Sequence, residues 1–158
     1  MEVFLRLCTA QNAIWLGLLL RLAGAIWNGF FGPSFGAGPD AVGFHLGAVA
    51  YAKDLGVFEF YLANIYMYVL GIVYHWTTDS LFLGSWLSCG AWLASAGVLF
   101  KMMRMLSFSE AHQFRAMLIY ALLPTSILLT SVTLREAYQL LAVNLAVYSA
   151  LKIYLNES

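Results

Sequence analysis

Residues 59–76 read "EFYLANIYMYVLGIVYHW", and whether they cross a membrane decides how the whole chain is threaded. The segment is apolar, with four tyrosines and a terminal Trp76, the ring types that collect where hydrocarbon meets headgroups. As a helix it reaches about 27 Å, barely the thickness of a bilayer core of about 30 Å. It can therefore span, or lie embedded in one leaflet without crossing. Its own residues leave both options open, and the charges further along the chain decide between them.

The chain around it is a membrane chain by composition. Of 158 residues, 62% are hydrophobic and only 10% charged, and the mean hydropathy is +0.79. A soluble domain carries roughly 25% charged residues, and a soluble chain of this size cannot hide so much apolar surface. The expected class is a polytopic, all-α membrane protein forming one transmembrane helical domain over residues 1–158. Formal net charge is zero, and no basic cluster interleaved with aromatics suits a nucleic acid. Cys8 and Cys89 lie far apart in apolar settings and read as small buried side chains. His45, His75 and His112 are scattered, so zinc spacing is lacking. A haem or pigment ligand would have to be His75 or His112 acting alone.

Four stretches read as spanning helices: residues 11–31, 81–100, 112–131 and 134–154. The first carries Arg21 near its middle, a costly place for a charge unless it faces protein or water. Arg21 either pairs within the bundle or meets an anionic group. A cleaved signal peptide fits less well, because Arg21 interrupts the apolar run and apolarity continues to Phe31. The second stretch is rich in small residues, among them Gly84, Ser85, Ser88, Gly90 and Ala91, which allow close helix packing in lipid. The third contains Pro124. Between the second and third lies "KMMRMLSFSEAHQFR", residues 101–115, where Ser107 and Glu110 have capping-box spacing.

Lys101, Arg104, Arg115, Arg6 and Lys152 are expected on the cytoplasmic side. One threading satisfies all of them. The first helix goes out, residues 41–53 and 59–76 form two outer-leaflet helices that do not cross, and the remaining three spans follow. Both termini are then cytoplasmic, as in a protein of a bacterial inner membrane. Between the first two helices, residues 32–40 form a Gly/Pro loop that ends in Asp40.

This threading places Asp40 and Glu136 on one, exoplasmic, side. Two carboxylates there can hold a divalent cation through oxygen, or one can take a proton from an attacking hydroxyl. Arg135 beside them can hold a phosphate. The plainer readings are local. Asp40 follows Pro39 and suits an N-cap, Thr133 and Glu136 have capping-box spacing, and Gln139 lies near Arg135 on one helix surface.

The order of motifs resembles a known family. "GLLLRLAGAIW" (17–27), a Gly/Pro loop, and "PDAVGFHLGAVAYAKDLG" (39–56) are similar to the start of the GT-C membrane glycosyltransferases, in the family-39-like group that uses polyprenyl-phosphate sugars. "FLGSWLSCGAWLASAGVLFKMMRML" (82–106) resembles that family's second spanning helix and basic inner loop. "AMLIYALLPTSILLTSVTLREAYQLL" (116–141) resembles its third helix, proline and second exoplasmic loop. Where the family has Asp-Glu, this chain has Asp40-Ala41. The similarity covers the front half of such an enzyme, so the chain resembles a truncated, N-terminal module.

The resemblance implies inverting transfer of a sugar from a lipid phosphate, with Asp40 and Glu136 as catalytic acids or as ligands of Mg2+ or Mn2+. Arg135 and Arg21 would contact the phosphate. The partners it implies are membrane lipids, a polyprenyl-phosphate sugar and a protein partner subunit. The other reading is a non-catalytic accessory subunit of a larger membrane complex. A channel or transporter has little support, since intramembrane charge is confined essentially to Arg21 and no repeated halves are visible.

Overall fold

The computed structural model describes residues 9–32, 38–55 and 64–157. These form seven helices, and no strand occurs among the described residues. They are α1 (Ala10–Phe31), α2 (Gly38–Lys53), α3 (Ile65–Trp76), α4 (Leu81–Met105), α5 (Glu110–Leu122), α6 (Pro124–Thr130) and α7 (Glu136–Glu157). Three of them, α1, α4 and α7, are long and apolar enough to cross a membrane, and α5 with α6 makes a fourth if the bent pair is one span. The chain is a helical membrane protein. The expectations for Arg6, Cys8 and residues 33–37 and 59–63 fall outside the described residues.

α1 opens with Thr9, whose hydroxyl accepts the Asn12 amide at 3.2 Å, satisfying one of the orphan donors of a helix start. α1 and α4 run antiparallel. Gly17 meets Trp92 near their middle, and Asn28 bonds Ser85 where α1 ends and α4 begins. A Cβ on Gly17 would stand 2.7 Å from the Cβ of Ala121 and 2.8 Å from Trp92. Only glycine lets α1, α4 and α5 come this close. Ala13, Trp92, Ala96, Met117 and Ala121 fill the space between them.

α4 and α7 run parallel, joined at two levels by hydroxyls and amides. Ser88 Oγ donates to Leu134 O at 3.3 Å. Further along, Asn144 Nδ2 donates to Ser95 Oγ at 2.8 Å, and Ser95 shares a 2.8 Å bond with Tyr120 of α5. Such contacts hold helices together in a solvent as apolar as their own side chains. α2 and α3 pack on each other and then on the bundle. Ala48, Tyr66, Leu70 and Tyr74 form a buried cluster against Leu83 and Leu87 of α4 and Tyr138 of α7. α3 has twelve residues and is about 18 Å long, well short of a bilayer core.

The structure corrects several sequence expectations. The single helix expected over 112–131 is two helices bent by 58°. Pro124 has no N–H to donate and pushes the preceding residue out of the α region, and Leu123 sits at φ −59°, ψ 114°. The helix expected to end at 100 runs on to Met105, because Lys101 and Arg104 continue its turns rather than break them. The Ser107/Glu110 capping box does not form. Ser107 instead terminates α4 in the left-handed region at φ 55°. Its amide donates to Arg104 O at 3.1 Å, and Phe108 N donates to Met103 O at 3.0 Å. These two bonds define a Schellman ending, and Ser109 takes the N-cap position of α5.

A serine in the left-handed region carries a Cβ penalty that glycine lacks. Ser107→Gly should raise stability by about 0.5 kcal/mol after the extra chain entropy of glycine is deducted. Equilibrium unfolding in mixed micelles checks this, and a destabilised S107G protein would contradict the assigned helix ending.

Candidate functional site

Arg21 is fully buried at the centre of the bundle. Its Nη1 donates to Gly17 O at 3.0 Å and to Ala121 O at 2.8 Å. Nε donates to Thr130 Oγ1 at 2.7 Å, and Nη2 to Ser126 Oγ at 2.9 Å. The guanidinium carbon lies 3.7 Å from the Trp92 ring centroid. Each of these hydrogen-bond partners is a neutral oxygen. The Ala121 carbonyl is available because α5 breaks at Pro124, so the cation also stands at the negative end of the α5 dipole. A centrally placed arginine costs roughly 3 kcal/mol on insertion scales. Four bonds at even about 0.6 kcal/mol each, with a desolvated cation–π contact of about 2 kcal/mol, offset that cost. Arg21 thus pairs within the bundle, with four of its five N–H groups committed to protein oxygens.

The other expected site residues gather at one end of the bundle. Ala41 is buried against Val132 and Leu134, so Asp40 stands beside the turn that carries Arg135 and Glu136. The guanidinium of Arg135 lies 5.7 Å from the Phe44 ring of α2. Asp40 is exposed in the first turn of α2, which starts at Gly38, and so is not the N-cap. The Thr133/Glu136 capping box is also absent. Thr133 Oγ1 turns away to donate to Leu81 O at 3.0 Å, and a Cβ on Gly84 would lie 2.6 Å from its methyl group. Contact with α4 wins over the cap, and Gln139 N bonds Arg135 O instead.

Freed from that cap, Glu136 lines a cavity of about 690 Å3 bounded by α4, α5, α6 and α7. Its Oε2 is buried without a hydrogen-bond partner among the described residues. Arg135 lines a separate cleft of about 370 Å3 with Tyr66, Tyr138 and Gln139. The two neighbours in sequence therefore face different spaces. Among the described residues, no group of three or more His, Cys, Asp or Glu side chains is placed to hold a metal ion.

Sequence reasoning did not find the Arg21 partners Ser126 and Thr130, the unpartnered oxygen of Glu136, or a bridge between α2, α3 and α4. The signal for the first was present, because Pro124 frees carbonyls and Thr125, Ser126 and Thr130 interrupt an apolar run. In the bridge, Tyr74 Oη donates its one proton to Ser80 O at 2.9 Å. His45 Nδ1, 3.0 Å from Tyr74 Oη, must then be the donor in its bond. Burial draws the His45 pKa below its usual value, while Asp79 pulls it weakly upward.

Compared with protein-family models, curated proteins and solved structures, the chain matches none.

Replacing Arg21 by Met should destabilise the protein by about 2–4 kcal/mol, because the buried oxygens it serves lose their donors. Arg21→Lys should recover only part of this, since a lysine cannot reach several oxygens at once. Unfolding titrations in lipid check both, and a change within about 0.5 kcal/mol for Met would show that the clamp carries no stability. For His45 the unfolded chain binds its proton at higher pH than the folded one. The fold around His45 therefore has its full stability at neutral pH and loses it as pH falls through the imidazole range, because burial disfavours the charged ring. Amide protection factors in α2 and α3, taken relative to the intrinsic exchange rate at each pH, should fall between about pH 7 and about pH 5, and His45→Gln should flatten that response.

Proposed function

We propose that the chain is the N-terminal module of a GT-C-type glycosyltransferase that uses a polyprenyl-phosphate sugar and works with a partner subunit. The observation that carries this reading is the convergence of Asp40, Arg135 and Glu136 at one end of the bundle through the Ala41–Val132–Leu134 contact. In this reading the exposed carboxylate of Asp40 takes a proton from the acceptor hydroxyl. Arg135 binds the phosphate, and Arg21 stiffens the helices behind it. A divalent ion, Mg2+ or Mn2+, would be held by Asp40 and would supply positive charge to neutralise the lipid phosphate. Four spans are counted by joining α5 to α6, with α2 and α3 on the exoplasmic face. The exposed Lys101, Arg104 and Arg115 at the opposite end favour a cytoplasmic location for that end and for both termini, as in a bacterial inner membrane.

A specific observation favours a second reading, a non-catalytic accessory subunit. In α7 the span Glu136–Leu155 is 0% buried at its most apolar window, and Val143, Val147 and Ile153 are exposed. That face suits lipid or another subunit's helix.

In native membranes, Asp40→Asn should lower sugar transfer from a polyprenyl-phosphate donor by roughly 100-fold or more, the usual contribution of a proton-transferring group. Unchanged turnover together with a stable co-purifying subunit would establish the accessory reading instead.

A further inference from the structure

The cavity between α4, α5, α6 and α7 has the features of a ligand site. Its volume of about 690 Å3 lies in the range of small-molecule pockets, roughly 300–1,000 Å3. Its walls are mostly aliphatic, from Leu99, Ile119, Leu123, Leu129 and Leu140. It exists because Pro124 bends α6 away from the line of α5, and Glu136 enters it from the start of α7. An apolar space holding one buried carboxylate oxygen without a partner leaves an acceptor that a ligand donor would satisfy.

The charges select the kind of donor. Arg21 lies behind the wall, bonded to Ser126 and Thr130, and both residues line the cavity. Glu136 supplies the opposite charge. An anionic headgroup would meet Glu136, and a cationic one would meet the field of Arg21, so a neutral group is favoured. Ser126 Oγ accepts from Arg21, which leaves its own O–H to donate toward the cavity. A hydroxyl both donates and accepts, and so complements Glu136 and Ser126 together. An ammonium group can only donate, and a phosphate offers chiefly acceptors.

We propose that this cavity binds a neutral, hydroxyl-headed amphiphile, its hydroxyl donating to Glu136 Oε2 and its chain lying along the aliphatic wall. The site does not depend on the sugar-transfer reading, because binding is measured without a donor substrate or turnover.

The test uses the full chain reconstituted in phosphatidylcholine vesicles and a photoreactive long-chain alkanol, with peptide mapping of the labelled residues. Control probes carry the same chain ending in phosphate, primary ammonium or methyl. The alkanol should label Ile119, Leu123 or Leu140 in preference to Val143 and Val147 on the outer face of α7, and more strongly than the three controls do. Glu136→Leu should reduce this preferential labelling about tenfold, the factor expected for one hydrogen bond to a charged group. Ser126→Ala should reduce it by a smaller factor. Leu140→Trp, which fills the cavity, should block it. Equal labelling by the methyl-terminated probe, preference for phosphate or ammonium, or unchanged labelling in a folded Glu136→Leu protein would each overturn the proposal.

Discussion

One cation at the middle of the first helix sets the terms on which the rest of the bundle is built. Arg21 is fully buried and takes oxygens from three helices: its own Gly17, Ala121 of α5, and Ser126 and Thr130 of α6. Two other features follow from this requirement. Gly17 has to lack a side chain so that Ala121 can approach, and Pro124 has to break the helix between α5 and α6 so that a carbonyl is left to receive the cation. The proline break would be a defect in a straight helix. Here the freed carbonyl and the buried charge satisfy each other, which is why neither is costly in place.

The same bend shapes both of the proposed sites. It opens the cavity into which Glu136 enters, and it leads directly into the 131–136 turn, whose Val132 and Leu134 receive Ala41. Asp40, Arg135 and Glu136 are thus brought to one end by a short run of apolar contacts rather than by contacts among themselves. That arrangement keeps Asp40 exposed, Arg135 over Phe44, and Glu136 turned to a separate space. The proposed division of labour in sugar transfer draws on this separation.

Much of the fold is legible in the sequence because apolar length is a strong signal. The cores of α1, α4 and α7 lie where the hydrophobic runs lie, and the short α3 matches a segment barely long enough to span. Two of the misreadings concern hydroxyls with the spacing of a cap that are used otherwise in the fold. Thr133 has the spacing of a cap but finds Leu81 O across the helix interface. Ser107 has the spacing of a cap but ends the previous helix instead. Spacing along a chain reports what a hydroxyl can reach locally and is silent on what another helix offers it. For the same reason Arg21 is conspicuous in the sequence while its partners are not. Three of the four are two hydroxyls and a carbonyl 100 or more residues away, with no charge to mark them.

That separation has a bearing on biogenesis. Chains are made at roughly 5–20 residues per second, so Arg21 is made about 5–20 seconds before Ala121 and Thr130 exist. Throughout that interval the guanidinium has no protein oxygens from α5 or α6 to bind. Until α5 and α6 are made, α1 is better placed shallowly, with its arginine reaching toward the headgroups. Final seating of the earliest helix is therefore coupled to the synthesis of a late one, and the bundle locks by returning to its beginning.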